Sequence, residues 1–241
     1  MPSTPRPFAP ESIRLIVFDL DGTLIDSRQD LCNSVNAALK FAGLQPLPDA
    51  TIASFIGDGA ALLIRRALAV PGETPAPLDE SLFERTFAFF LDYYRAHKLD
   101  FTELYPGVRE SLEALKTLPD GTRRAMAVLT NKPVGPALAI CEGLGLTPYF
   151  FSIYGGDSFP TKKPDPLGLR TLMNEARVSA AETLMIGDSD VDVRTARNCG
   201  AWTLGCLFGL APESLEAVPA DLLVNHAAEW MDALGVAEVE V

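Results

Sequence analysis

The apolar run Leu15-Ile16-Val17-Phe18 passes directly into Asp19-Leu20-Asp21-Gly22-Thr23-Leu24, and no other stretch limits the fold as much. The run predicts a strand. A strand ending in two carboxylates puts them where an open α/β sheet presents its ligands, outside the carboxyl ends of its strands. Asp19 and Asp21 are two apart, so both side chains lean to the same side as the strand gives out. Acids held that close repel each other, and a cation or a shared proton relieves the repulsion. One of them can attack as a nucleophile while the other moves a proton, with a hard divalent ion between them. Gly22 lets the chain turn sharply and Thr23 adds a hydroxyl. The same residues also suit a plain Asx-type turn, and the segment alone does not separate the two readings.

Composition narrows the classes. A chain of 241 residues holds one large domain, or a domain with a modest insertion. Its 48% hydrophobic content is that of a globular protein with a full core. A net charge of -12 and a pI near 4.6 argue against nucleic-acid binding, which wants a basic face. Any positive charge used on an anionic substrate has to be concentrated locally. Cys32, Cys141, Cys199 and Cys206 show no Cys-x-x-Cys spacing, and His97 and His226 are the only histidines, so a zinc site is not expected. Scattered cysteines suit a reducing compartment, the cytoplasm by default. The Pro-rich start reads as a flexible tail over residues 1–10 rather than a signal peptide. No apolar run reaches membrane-spanning length.

Strand signals fall at Arg14–Phe18, Ala125–Thr130, Phe151–Tyr154, Thr183–Gly187, Trp202–Leu207 and Leu222–Val224. Helical patterns at Val134–Leu144, Pro166–Ala176 and Asp192–Cys199 lie between the later ones, which indicates βα units and a parallel sheet. From Ser27 to about Thr102 the pattern changes. Three helical stripes follow one another: Leu31, Val35, Ala38, Leu39; then Ala61, Leu62, Ile64, Leu68; then Leu82, Phe83, Phe87, Phe90, Leu91. Pro46, Pro48, Pro71, Pro75 and Pro77 punctuate them, and no strand signal is strong. An all-helical insertion over 26–102 is the economical reading, splitting an α/β core into 11–25 and 103–241. Its linkers are expected near Ile25-Asp26 and Leu104–Val108. The aromatic run Phe83, Phe87, Phe89, Phe90 reads as core rather than as a ligand box.

Three further segments close predicted strands or open predicted helices. Thr130-Asn131-Lys132-Pro133 offers a hydroxyl, an amide and backbone N–H groups for phosphoryl oxygens, or simply caps a helix. Lys162-Lys163-Pro164-Asp165-Pro166 places a lysine beside a proline-stiffened turn, where it can neutralise charge on a transferring group or merely be solvated. Lys163, directly before Pro164, is the one expected to point inward. Gly187-Asp188-Ser189-Asp190-Val191-Asp192 ends a strand with acids but lacks the Gly and closing Glu of a calcium loop. Asp188 is the natural further metal ligand beside Asp19, with Asp192 assisting from behind or capping the helix that starts there.

In this order the four segments resemble the haloacid dehalogenase superfamily of phosphohydrolases. The resemblance runs from Ile16 to about Gly209, with the helical insertion in the position of that superfamily's cap. Phe18–Ser27, Tyr154-Gly155-Gly156-Asp157 and Lys163-Pro164-Asp165-Pro166 are most similar to its phosphoglycolate phosphatase branch. The resemblance implies an α/β core with a parallel sheet and helices on both faces, and an inserted all-helical cap. It implies Asp19 as the nucleophile that forms an aspartyl-phosphate. Asp21 would protonate the leaving oxygen, deprotonate the hydrolytic water and bind the metal through its backbone carbonyl. Thr130, Asn131 and Lys163 would hold the phosphoryl group, and Asp19, Asp21 and Asp188 would bind Mg²⁺. An acid at Asp21 speaks for phosphate chemistry over dehalogenation.

In the cap, Gly57, Asp58 and Gly59 form a loop that opens a helix toward the site, and Arg65 or Arg66 is placed to grip a carboxylate. The expected partner is a small phosphorylated metabolite, 2-phosphoglycolate first, with nucleotides, pyrophosphate and sugar phosphates as alternatives. A phosphomutase of the same fold and a non-catalytic binding protein are the other readings. Monomer and homodimer both remain open.

Overall fold

Leu15–Phe18 forms the strand β1, with all four side chains buried. The computed structural model describes residues 8–69, 79–118 and 120–236. Residues 1–7 of the expected tail, and Pro71, Pro75 and Pro77, lie outside the described residues. After β1 come a two-residue strand β2 (Ile25–Asp26) and helices α1 (Arg28–Phe41), α2 (Asp49–Ala53), α3 (Ala60–Ala69) and α4 (Glu80–His97). The chain returns through β3 (Glu103–Leu104), α5 (Val108–Leu115), β4 (Ala125–Leu129), α6 (Val134–Gly143) and β5 (Ser152–Tyr154). It ends with α7 (Leu167–Ala176), β6 (Thr183–Gly187), α8 (Asp190–Arg197), β7 (Trp202–Cys206), α9 (Ser214–Ala217), β8 (Leu222–Val224) and α10 (Glu229–Ala233).

The main sheet has six parallel strands in the order β5-β4-β1-β6-β7-β8. Alternate residues of its central strands feed two cores. Ile16, Phe18, Met126, Val128, Leu184 and Ile186 face one, and Leu15, Val17, Ala127, Leu129 and Met185 face the other. A strand covered on both faces has to be apolar at every position, which is why these runs show no alternation. α5, α6 and α10 cover the first face through Leu112, Ile140 and Trp230, whereas α7 and α8 cover the second through Leu169, Leu172 and Ala196. Phe18 pairs with Val128 on one side and Ile186 on the other. The residues that follow β1, β4 and β6 therefore emerge level, at one edge.

The helices α1 to α4 lie between two short linkers of this core, β2 and β3. These linkers are not loops: β2 and β3 pair antiparallel, Ile25 with Leu104 and Asp26 with Glu103. Just above the pair, the buried Asp30 carboxylate accepts Phe101 N–H at 3.1 Å, Thr102 N–H at 2.8 Å and the Thr102 hydroxyl at 2.7 Å. The stripe Leu31, Val35, Ala38, Leu39 is buried as expected. The next one differs: Leu63, Ile64, Ala67 and Leu68 are buried and Leu62 is exposed. Adjacent leucines write two overlapping helical stripes, and packing against the neighbouring helices selects the second. α8 also starts at Asp190 rather than Asp192. Ser189 and Asp192 form a reciprocal capping box, so Asp192 is the third residue of the helix, not its start.

Candidate active site

The turn after β1 is built by the backbone. Leu20 C=O accepts the N–H groups of Thr23, Leu24 and Ile25, and Gly22 sits at φ +84°. Asp19 N–H donates to Ile186 C=O at 2.9 Å, which continues the strand by one residue and fixes where its carboxylate points. That carboxylate accepts Leu20 N–H at 2.7 Å through Oδ1 and lies 2.9 Å from Lys163 Nζ. Lys163 is the inward lysine of its pair; its side chain is 2% exposed and also contacts Asp192 Oδ1 at 2.6 Å. Lys162 stays exposed and donates to Asp58 C=O across the gap to the helical insertion.

Asp188, directly after β6, accepts Leu210 N–H at 2.6 Å and Ala211 N–H at 3.1 Å through Oδ2. Carboxylate oxygens of Asp19, Asp188 and Asp192 come within 4.8 Å of one another, all three residues buried. Burial, then Asp192 and Asp19, push the Asp188 carboxyl up to about 8. Burial raises Asp19 to about 6, against the pull of Lys163. Burial would depress the Lys163 ammonium, but Asp19 and Asp192 outweigh it and hold it above its ordinary value. Three carboxylates facing one ammonium leave an excess of negative charge in a dry place. An all-oxygen donor set of this kind fits a hard divalent cation. The carboxylates gathered include Asp19 and Asp188, the two expected to ligate through their side chains, together with Asp192, which also pairs with Lys163; Asp21 was expected to contribute its backbone carbonyl, not its carboxylate.

The Asp21 carboxylate is engaged elsewhere. Lys132 Nζ lies 2.7 and 3.0 Å from its two oxygens, and the Ser27 hydroxyl donates to Oδ1. Lys132 is buried, 4.8 Å over the centre of the Tyr94 ring contributed by α4. Reading the sequence did not single out Lys132. Its signal was there: a lysine directly before a proline in a turn that leads into a helix, as at Lys163-Pro164.

Thr130 and Asn131 follow β4 as expected. Thr130 Oγ1 accepts Lys132 N–H at 3.1 Å, and the Asn131 amide donates to Gly57 C=O and Lys163 C=O, each at 3.2 Å. Asn131 Oδ1 is buried with no partner among the described residues. Asp19, Asp21, Thr130, Asn131 and Lys132 line one side of a pocket of about 50 Å³, with Gly57, Gly59 and Tyr94 on the other. Asp58 does not line it: its carboxylate pairs with Arg66 at 2.6 Å. Nor does Arg65, which makes a bidentate pair with Glu80 at 2.8 Å and stacks on Phe83. A helix arginine with a carboxylate fifteen residues on in the next helix finds that partner first, so the expected carboxylate grip by Arg65 does not form.

A carboxylate open to a pocket, a second acid two residues on, buried lysines and a hydroxyl and an amide side chain at the next strand end are the parts of a phosphoryl-transfer site. Known proteins point the same way. The family model for haloacid dehalogenase-like hydrolases matches residues 16–206. A phosphoglycolate phosphatase of Chromobacterium violaceum is 40% identical over 222 residues, covering 92% of this chain and 96% of the relative. One from Neisseria meningitidis is 38% identical, covering 93% and 94%. The crystal structure of a predicted phosphoglycolate phosphatase from Haemophilus somnus superposes with a TM-score of 0.83 at 31% identity, over 92% of this chain and 98% of that one. With its parallel sheet, its strand-end acids and matches of this length, the chain belongs to the haloacid dehalogenase-like hydrolases, as a phosphatase of their phosphoglycolate phosphatase-like branch.

Proposed function

We propose that this chain is a Mg²⁺-dependent phosphomonoesterase that works through an aspartyl-phosphate on Asp19, with 2-phosphoglycolate as its substrate. The observation that carries the reading is the division of the two strand-end acids: Asp19 is bound to Lys163 and Asp21 to Lys132, within one pocket. Asp19 Oδ attacks phosphorus as the ester P–O bond breaks, and Asp21 gives its proton to the departing oxygen. Asp21 then takes a proton from water, which attacks phosphorus and releases phosphate from Asp19. Thr130 and Asn131 orient the phosphoryl oxygens, and Lys163 neutralises charge on the nucleophile and on the group in transfer. Asp19, the Asp21 backbone carbonyl and Asp188 would hold Mg²⁺, with Asp192 beside them; the ion supplies charge neutralisation for the phosphoryl oxygens.

The relatives, phosphoglycolate phosphatases by name, support this substrate, and so does the pocket. It is small, about 50 Å³, and lies between the strand-end acids and the helical insertion, a setting for a small ligand. Segment 26–102 would act as the lid, closed here through Gly57 C=O on Asn131 and Asp58 C=O on Lys162. Among the described residues no helix is long and apolar enough to cross a membrane, and all four cysteines are free, which supports a cytoplasmic place.

The test is phosphate release from 2-phosphoglycolate, nucleotides, sugar phosphates and pyrophosphate, with Mg²⁺ and with excess chelator. Asp19→Asn should lose more than about a thousandfold in turnover with its fold unchanged by circular dichroism. Activity of that variant near wild type, or undiminished activity in chelator, overturns the mechanism.

A further inference from the structure

The segment Gly155-Gly156-Asp157 follows β5, and no step of the proposed chemistry uses it. It lies alongside the turn that carries Thr130 and Asn131. Thr130 N–H donates to Tyr154 C=O at 3.0 Å, Gly156 N–H to Lys132 C=O at 2.8 Å, and Val134 N–H to Asp157 Oδ1 at 2.7 Å. Thr130, Lys132 and Val134 are thus tied one after another, which carries the β4–β5 pairing past the end of both strands. Asn131 stands between two of these ties and lines the pocket at Asp19.

The two glycines are there for room, not for a turn. Neither has a left-handed φ. A Cβ on Gly155 would fall on Val134 N, and one on Gly156 on the Asn131 carbonyl oxygen, both inside the 3.0 Å that real Cβ atoms keep. These neighbours are backbone and cannot swing aside as the end of a side chain would. Any side chain at Gly156 therefore pushes on the peptide of the residue that is to hold the phosphoryl group. Asp157 closes the arrangement from the exposed side. The first N–H of α6 is taken by its carboxylate, and Pro136 has none to give, so this helix end fixes the turn before it rather than holding an anion.

We infer that Gly155, Gly156 and Asp157 form a clasp that positions Asn131 for the phosphoryl transfer proposed above, on which this inference rests. None of the three lines the pocket at Asp19. The clasp acts through the Asn131–Val134 backbone, and Asp157 is a positioning residue.

The experiment compares Asp157→Ala and Asp157→Asn with wild type, in the full chain with Mg²⁺. It measures kcat and KM on 2-phosphoglycolate and competitive inhibition by inorganic phosphate. Alanine removes the acceptor for Val134 N–H, whereas asparagine keeps an oxygen there. Asp157→Ala should raise KM and the inhibition constant of phosphate by about tenfold, and Asp157→Asn should stay within about threefold of wild type. With Asn131→Ala already in place, Asp157→Ala should add less than about twofold, because the residue it acts through is gone. Gly156→Ala pushes on that residue directly and should lower kcat/KM by about a hundredfold. An Asp157→Ala that shifts only the melting temperature, an Asp157→Asn as impaired as Asp157→Ala, or a full loss that persists without the Asn131 side chain overturns the clasp and leaves the phosphatase reading intact. A wild type that releases no phosphate from any of the esters tested overturns that reading, and the clasp with it.

Discussion

Gly22→Ala probes the joint between the strand-end turn and the acidic cluster. Two terms add at this position. At φ +84° an alanine is strained by about 1–2 kcal/mol. Its Cβ would also stand 2.1 Å from Asp188 Oδ2, where an ordinary contact needs about 3.5 Å. The Asp188 carboxylate has to retreat by roughly 1 Å, away from its hydrogen bonds to Leu210 and Ala211 N–H. Bonds to a charged acceptor are worth about 1.5–3 kcal/mol each, so losing one and weakening the other brings the total to about 3–5 kcal/mol. A displacement of that size in a reacting constellation costs about a hundredfold in turnover. Urea denaturation reads the first number, and phosphate release over a Mg²⁺ titration reads the second, with a raised Mg²⁺ requirement expected. Gly43→Ala is the control: Gly43 has φ +76° but nothing within 4 Å of its would-be Cβ, so it should lose only the backbone term and none of the activity. If Gly22→Ala matched Gly43→Ala in both assays, the reasoning that the glycine makes room for Asp188 would be wrong.

Asp30→Ala strands two backbone N–H groups and a hydroxyl that the buried carboxylate now satisfies, and should destabilise by about 3–5 kcal/mol. In a chain of this size that is about 6–20 °C in melting temperature, and a change below about 2 °C would refute the tether. Cysteine labelling tests burial: Cys32, Cys141 and Cys206 are buried and Cys199 half-buried, all with thiols raised by burial. Alkylation of the folded protein at pH 8 should therefore be slow and confined to Cys199, and mass spectrometry showing further adducts before unfolding would contradict that packing.

The central sheet is legible in the sequence because strands covered on both faces leave an unbroken apolar run, as in Leu15–Phe18 and, within Thr183–Gly187, Leu184-Met185-Ile186. The strand-end site is legible for a related reason. Parallel strands in register bring the residues after each run to one edge, so Asp19, Thr130 and Asp188 converge although 169 positions separate the first from the last. What fails to show is whatever depends on a partner far along the chain. The β2–β3 pair is two residues per strand, too short for a periodic signal, and exists because the linkers meet. The short helices α2, α9 and α10 have four or five residues each, less than two turns, and are held by packing rather than by a stripe. Arg65 illustrates the opposite error: its residue type suited a substrate carboxylate, but Glu80 was within reach and the sequence alone does not rank the two.

Lys132 shows why the roles of the two acids follow from their neighbours rather than from their order in the chain. Asp19 and Asp21 are the same residue type, two positions apart and in one pocket. Asp19 touches Lys163, which is held by Asp192 as well, and it stands in the cluster that suits a cation. Lys163 favours the ionised, nucleophilic form of that carboxylate against the burial that raises it. Asp21 stands outside the cluster, on a lysine with no other acid and against the Ser27 hydroxyl. A group that has to lose a proton and regain it within one turnover needs a neighbour whose charge can be balanced in both states. Lys132 and the Ser27 hydroxyl are the neighbours that hold Asp21 for that task.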